Sequence, residues 1–246
     1  MEVSIVIPAF NEEDKIGRDL EAASSFLAKQ DVPSEVIVVD DGSGDSTART
    51  AEDTHIHPGA IQIKIIRLEK NRGKGEAVKR GVLESRGKIV IVADSGACVP
   101  YINALPVMDR IREDLVDIGL ASRRHKKTVI RRNRPPMRRL YSRLFHLAAR
   151  IFAGLPRGVS DSQCGFKVYR GESARFLFRQ CRTTGYLFEL EILLRASRSG
   201  LRIEEFPVEW TCDLDTRLKP ASDARRVLKE LFTIKTRARS LNDEKK

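Results

Sequence analysis

The stretch Glu35-Val36-Ile37-Val38-Val39-Asp40-Asp41-Gly42-Ser43-Gly44-Asp45-Ser46-Thr47 decides how this chain is read. Val36 to Val39 are apolar, mostly β-branched and unbroken by a polar residue. That is the pattern of a strand buried on both faces, as in a parallel sheet covered by helices. Two adjacent carboxylates, Asp40 and Asp41, end the run. Gly42-Ser43-Gly44 then turns the chain, and Asp45 or Ser46 can cap a helix starting near Thr47. Ligands of open α/β sheets bind beyond the carboxyl ends of the strands. Acidic groups there suit sugar hydroxyls, a base edge or a metal, although a plain turn with a helix cap fits this stretch, taken alone, equally well.

The same design recurs on either side. Val3 to Ile7 reads as a short strand closed by Pro8, and Asn11-Glu12-Glu13-Asp14 leads into a helix reaching about Lys29, with Ile16, Leu20, Ala23 and Leu27 on one face. A helix through Ala48 to Asp53 gives way to a loop with His55 and His57, a pair without a third ligand and therefore read as solvated loop. Ile61 to Leu68 is expected as a third strand. Asn71-Arg72-Gly73-Lys74-Gly75 then enters a helix from Glu76 to Ser85. This turn resembles a phosphate loop but lacks the G-x-x-x-x-G-K-[ST] spacing, which argues against a P-loop ATPase and leaves Arg72 and Lys74 as side chains able to touch a substrate. Ile89 to Val92 is a fourth apolar strand, ending in Ala93-Asp94-Ser95-Gly96. Strands alternating with helices, two of the strands ending in aspartate, predict an α/β fold with a mostly parallel central sheet and helices on both faces.

The chain has 246 residues, 41% of them hydrophobic and 32% charged, which places it among globular proteins with room for a good core. No apolar run approaches the roughly 18 residues that span a bilayer. The N-terminus leads directly into a strand, so no secretory signal peptide is expected. Cys98, Cys164, Cys181 and Cys212 lack metal-type spacing and are expected as reduced thiols of a cytoplasmic protein. The net charge of +11 is concentrated. Residues 123 to 143 hold ten Lys or Arg and no acid, and removing those ten leaves +1 for the rest. One basic segment points to one localised anionic partner: phosphates, a lipid surface or nucleic acid.

Further along, Pro106 to Leu115 is expected as helix and Val116 to Ala121 as strand. Pro135-Pro136 breaks the basic segment, and Met137 to Ala153 reads as a helix with Leu144, Leu147, Ala148, Ile151 and Phe152 on one side. Arg139, Ser142, Arg143, His146 and Arg150 lie mainly on the other side, so this helix either packs on the core or lies on an anionic membrane. Ser160 to Lys167 is polar and runs into a short strand. Gly171 to Arg179 and Leu187 to Ala196 are expected helices, the second carrying Glu189 and Glu191. Leu201 to Trp210 alternates like a strand with Pro207 near its end. Thr216 to Pro220 is a basic turn before a last helix, Ser222 to about Ala238. A single domain, 1–238, is expected, in two parts (1–122 and 123–238) and followed by a charged tail (239–246).

Taken together, Ile5-Val6-Ile7-Pro8-Ala9-Phe10-Asn11-Glu12-Glu13, Val38-Val39-Asp40-Asp41-Gly42-Ser43 and Asn71-Arg72-Gly73-Lys74-Gly75 resemble the start of family 2 glycosyltransferases of GT-A fold. Asp161-Ser162-Gln163-Cys164-Gly165-Phe166-Lys167, Phe188-Glu189-Leu190-Glu191 and Arg217-Leu218-Lys219 resemble the branch that makes polyprenyl-phosphate sugars, such as the dolichyl-phosphate mannose and glucose synthases. The resemblance implies that Pro8, Phe10 and Glu12 line the nucleotide pocket, with Asp40 on base or ribose, and that Lys74 joins the nucleotide-sugar site. It puts Asp94 at the first position of an Asp-x-Asp metal motif holding Mg²⁺ or Mn²⁺. Arg123, Arg138, Ser142, Arg217 and Lys219 fall where basic and hydroxyl groups meet diphosphate and acceptor phosphate, Arg138 and Ser142 on the acceptor side. Gln163 faces the sugar, and Asp161 and Glu189 either orient acceptor or sugar or are structural carboxylates. Catalysis would rest on Asp94, Asp161, Gln163 and Arg138.

The implied reaction is an inverting transfer of a hexose from UDP-glucose or GDP-mannose to a polyprenyl phosphate, by a protein peripheral on the inner, cytoplasmic face of a membrane, with or without a separate membrane-protein partner. The chain departs from the family in reading Asp94-Ser95-Gly96 where the motif is Asp-x-Asp. A catalytically weak or silent nucleotide-sugar-binding module is therefore the rival reading. A nucleic-acid-binding protein is disfavoured, because the basic segment interleaves only Tyr141 as a stacking aromatic.

Overall fold

A computed structural model describes residues 1–54, 61–132, 147–150, 154–156, 158–212, 231 and 233–234. The first half of the chain builds the sheet as its apolar runs predict. β1 (Val3–Ala9), β2 (Ser34–Asp40), β3 (Ile61–Arg67) and β4 (Ile89–Ala93) alternate with α1 (Ile16–Ala28), α2 (Thr47–Asp53) and α3 (Lys74–Glu84). β1 pairs in parallel with β2, from Val3↔Ser34 to Ala9↔Asp40, and with β4, from Val3↔Ile89 to Val6↔Val92. β2 pairs in parallel with β3. Pro8 lies inside β1 instead of closing it, at a height where the ladder to β4 has already ended.

Every residue of β1, β2 and β4 is buried. The period of two divides each run between two cores. Ile5, Ile7, Val36, Val38 and Ile91 pack with Ile16, Leu20 and Leu27 of α1 on one face, and Val6, Ile37, Val39, Val90 and Val92 with Val78 and Val82 of α3 on the other. β3 is half-buried and carries Gln62 and Lys64, as suits an edge strand.

The second half extends the sheet differently. β5 (Ile118–Ala121) follows α4 (Leu105–Arg112), and a small strand β6 (Val129–Arg132) follows β5. β7 (Phe166–Arg170), α5 (Gly171–Gln180), α6 (Phe188–Arg198), β8 (Ile203–Phe206) and β9 (Glu209–Thr211) complete the described elements. The sheet order is β3-β2-β1-β4-β7-β5-β8. β7 is antiparallel to both neighbours and brings the segment before it, residues 160–165, to the carboxyl end of β4. Pro207 divides the single strand expected over Leu201 to Trp210, and its second part pairs with β6 in a separate two-stranded sheet. Among the described residues no helix is long and apolar enough to cross a membrane. Of the helix expected over Met137 to Ala153, only residues 147–150 are described: Leu147 is 54% exposed, while Ala149, off the expected apolar stripe, is fully buried. His55, His57, Arg138, Ser142, Arg217 and Lys219 lie outside the described residues, and of the last expected helix only residues 231 and 233–234 are described, with Leu231 and Ile234 buried.

Candidate active site

The carboxyl ends of β1, β2 and β4 face one cluster of loops. Asp40 is fully buried at the end of β2. Its Oδ1 accepts from the Ser43 amide at 2.9 Å and from the Ser43 hydroxyl; its Oδ2 makes no hydrogen bond and faces Arg67 Nε at 3.6 Å. The loop after β1 is laced to this turn. The Asn11 amide donates to Ser43 Oγ at 2.8 Å, the Gly44 amide to Asn11 Oδ1 at 2.8 Å, and the Glu12 amide to Thr47 Oγ1 at 2.7 Å. Pro8, Phe10, Glu12 and Asp40 are thus brought to neighbouring strand ends, with Phe10 and Glu12 partly exposed.

Asp41 has a different task. Its two oxygens accept from the Arg72 amide at 2.7 Å and the Gly73 amide at 2.8 Å, which fixes the turn entering α3. Burial raises its pKa, against the pull of those two bonds. The next amides, Gly75 and Glu76, donate to the Thr184 carbonyl at 2.7 and 3.3 Å. The amides of Arg72, Gly73, Gly75 and Glu76 are thus bound by protein, so what this turn offers a ligand is chiefly side chains.

Lys74, first in α3, places Nζ 2.7 Å from Asp94 Oδ1 and 2.9 Å from Oδ2, and 6.0 Å from the centre of the Phe188 ring. Burial works to lower its pKa, but Asp94 and Glu189 outweigh it and hold the ammonium charged. Asp94 follows β4, and its amide donates to the Gly165 carbonyl at 3.0 Å. The next two residues are held from α1: Ser95 Oγ and the Gly96 amide donate to Asp19 Oδ2 at 2.7 and 2.8 Å. Asp19 is 3% exposed, and burial raises its pKa in spite of those bonds. Gly96 stands at φ +97° and Ala97 at φ +45°. A carboxylate residue at Gly96 would be strained, so the departure from Asp-x-Asp is built into the backbone.

The segment before β7 supplies a second pair. Arg123 forks onto Asp161 (Nε to Oδ2 2.6 Å, Nη2 to Oδ1 2.5 Å), adds its amide to Oδ2 at 3.0 Å, and lies 5.8 Å from the Trp210 ring. Burial alone would raise the Asp161 carboxyl, but the Arg123 charge and its bonds hold it below the usual range. Gln163 is partly exposed and donates its amide to Asp161 Oδ1 at 3.4 Å. Glu189 is taken up by Lys167, Nζ to Oε1 2.5 Å, with both side chains buried. Glu191 accepts from Arg195 and from the amides of Arg182 and Thr183, which holds the loop that covers the α3 turn. Cys164 is buried, and its thiol is pushed up to about 11. The four cysteines are unbridged.

The structure thus brings Lys74, Asp94, Arg123, Asp161 and Gln163 to one end of the sheet. Asp19 and Lys167 were given no role from the sequence, and Asp41 was read only together with Asp40 as a pair of carboxylates at a strand end. The available signals were a carboxylate on the buried face of α1, the doubled Asp40-Asp41, and a lysine and a glutamate each set in an apolar element.

Comparison with known proteins accords with this geometry. The Glycosyl transferase family 2 model matches residues 4–178. The chain is 32% identical over 244 residues to a dolichyl-phosphate beta-glucosyltransferase of Dictyostelium discoideum, covering 96% of this chain and 74% of that one. It is 32% identical over 250 residues to the protein of that name in Saccharomyces cerevisiae, covering 95% and 74%. Among solved structures, glucosyl-3-phosphoglycerate synthase of Mycobacterium tuberculosis, in complex with Mn²⁺, UDP-glucose and phosphoglyceric acid, superposes with a TM-score of 0.68 at 21% identity, covering 96% of this chain and 80% of that one. The chain belongs to glycosyl transferase family 2 and has the GT-A fold.

Proposed function

We propose that this protein transfers glucose from a nucleotide-diphosphate sugar, UDP-glucose in the first instance, to a polyprenyl phosphate, with inversion at the anomeric carbon. The observation that carries the reading is the Lys74–Asp94 pair after β4 and the Arg123–Asp161 fork after β5 at the same end of the sheet, in a chain whose relatives are named dolichyl-phosphate beta-glucosyltransferases. Pro8, Phe10, Glu12 and Asp40 take the nucleoside, Asp40 Oδ2 being the buried oxygen that makes no hydrogen bond and faces Arg67. Lys74 and Arg123, with Arg217 and Lys219, take the diphosphate; Gln163 faces the sugar; Arg138 and Ser142 take the acceptor phosphate. Residues 1–122 form the donor half of one domain and 123–238 the acceptor half.

A phosphate monoester is largely ionised at pH 7, its second pKa being about 6, so the nucleophile needs no strong general base. The work is to hold two anions together and to stabilise the departing diphosphate. Arginine forks and lysine charges do this, and Asp161 and Asp94 aim them.

The divalent ion implied by the resemblance fits poorly. Mg²⁺ and Mn²⁺ favour several oxygen ligands. Among the described residues no group of three His, Cys, Asp or Glu side chains converges. Asp94 already holds Lys74 with both oxygens, and Asp19 is committed to Ser95 and Gly96. These residues do not make a site for the ion by themselves. Mn²⁺ or Mg²⁺ carried in on the diphosphate is the competing arrangement.

The acceptor's lipid requires contact with a membrane, and the exposed Lys126, Lys127 and Arg132 with Val129 and Leu147 supply a basic and partly apolar surface for peripheral binding on the cytoplasmic face, alone or beside a membrane-protein partner. The test is transfer of labelled glucose from UDP-glucose to a polyprenyl phosphate in detergent or vesicles. Donor binding without transfer or hydrolysis, with or without metal, would make the protein a silent binding module.

A further inference from the structure

We propose that the Lys74 ammonium takes the place of the divalent ion, so that donor binding and transfer proceed without metal. The proposal rests on the transferase reading above. Nζ lies within 2.9 Å of both oxygens of Asp94, the position between the two where a chelated cation sits. The motif's second carboxylate is replaced by Gly96, whose φ of +97° and bond to Asp19 make the loop unsuited to an acidic side chain. The cation is fixed in place: Lys74 begins α3, and the amides around it are bound by Asp41 and by the Thr184 carbonyl.

Lys74 can also reach a ligand. Its side chain is 21% exposed and that of Asp94 37%. An ammonium has three N–H donors, and the two contacts to Asp94 leave one for a phosphate oxygen. In the reaction an acceptor phosphate oxygen forms the bond to the anomeric carbon as the bond from that carbon to the diphosphate oxygen breaks. The electron pair leaves on the diphosphate, which gains one negative charge and needs no proton. A fixed positive charge at that oxygen is the stabilisation a metal otherwise supplies. Asp94 is then the residue that aims Lys74, and not a metal ligand.

The experiment compares binding of UDP and GDP to the whole protein by calorimetry, in EDTA and in Mn²⁺, with transfer measured in the same buffers. The expected result is affinity of the wild type for one nucleotide within about threefold in the two buffers, and transfer in EDTA. Lys74→Met is expected to weaken diphosphate binding in EDTA more than tenfold while uridine or guanosine binds as in wild type, and Lys74→Arg to recover part of the loss. Wild-type affinity more than tenfold tighter in Mn²⁺ than in EDTA would overturn the proposal. So would a Lys74→Met protein that binds diphosphate in EDTA as wild type does, or a wild type that binds neither nucleotide in either buffer. If Lys74→Met also loses the nucleoside it has misfolded, and the wild-type comparison decides alone. Metal-free diphosphate binding without transfer in any buffer would overturn the transferase reading and leave the Lys74 assignment standing.

Discussion

The carboxylate of Asp94 lies directly on the α-carbon of Gly165: a β-carbon built there would come within 1.8 Å of Oδ2 and 2.4 Å of Oδ1. The two residues are also joined by the Asp94 amide and the Gly165 carbonyl at 3.0 Å, just past the antiparallel pair Ala93↔Phe166. A glycine in the Asp-Ser-Gln-Cys-Gly-Phe stretch therefore has a spatial reason, since only a missing side chain lets Asp94 turn back toward Lys74.

Gly165→Ala should displace Asp94 from that position. Overpacking at a tight site costs about 1–3 kcal/mol, so the variant should fold with a lowered melting temperature. Donor diphosphate binding should fall at least tenfold while nucleoside binding is kept. Calorimetry with both ligands checks this, and unchanged diphosphate affinity would show that Asp94 has no part in it.

Arg123→Lys keeps the charge and removes the fork. Lysine cannot reproduce the two parallel bonds to Asp161 or the packing on Trp210. The expected loss is about 1.5–3 kcal/mol of stability, as for a charged hydrogen bond removed from a buried pair, with transfer kcat/KM down more than tenfold because Gln163 is tied to the same carboxylate. Urea unfolding and steady-state assays check the two halves separately.

A pH dependence arises at the opposite end of the sheet. Asp117 accepts from Arg202 Nε at 2.9 Å and the Arg202 amide at 2.8 Å, and from Arg170 Nε at 3.1 Å, tying the starts of β5 and β8 to the end of β7. Its carboxyl is held well below the usual range by the Arg202 side chain, with burial opposing. A depressed folded-state pKa stabilises above the unfolded value of about 3.9 and loses that contribution as pH falls through the folded value. Asp117→Asn should therefore lower the urea midpoint at pH 7, and the gap to wild type should narrow as the pH drops from about 4 toward 2. A gap of constant size would remove the ion pairs as its cause.

β1, β2 and β4 were legible because each is a short apolar run, and burial on both faces leaves that local mark, whereas β3 alternates as a half-buried edge strand does. The position of β7 was not. It lies between β4 and β5 through pairings that are remote in sequence, and no local pattern says that Phe166–Arg170 runs antiparallel there. Asp40 and Asp41 looked alike in sequence. Their tasks separated only in three dimensions, where Asp41 faces the α3 turn and Asp40 keeps one oxygen unbonded. Asp94 was recognised from its place after a strand, but its partner Lys74, 20 residues earlier at the next strand-to-helix turn, becomes a contact only once β1 to β4 are in register.

Membrane docking gives the last prediction. A polyprenyl chain does not leave a bilayer readily, since each CH₂ moved into water costs about 0.8 kcal/mol. With such an acceptor the protein has to reach the membrane surface, and we propose the exposed part of the basic segment for that contact. Its charges are not equivalent. Arg131 forks onto Glu209, Nε to Oε1 2.8 Å and Nη2 to Oε2 3.2 Å, so its charge is already balanced. Lys126, Lys127 and Arg132 are exposed on the same segment. Each basic residue at an anionic surface contributes roughly 1 kcal/mol. Replacing those three by Ser should weaken binding to vesicles containing phosphatidylserine by about a hundredfold at low salt, a figure that shrinks as salt is added. Arg131→Ser alone should weaken binding by about the share of a single charge, because it leaves the Glu209 carboxylate unpaired beside the anionic surface. Donor affinity should stay near wild type in both. Co-sedimentation with anionic and neutral vesicles, run beside transfer to long-chain and short-chain acceptors, reads the outcome: equal binding to both kinds of vesicle, or a triple variant that loses donor binding first, would remove this surface from membrane docking.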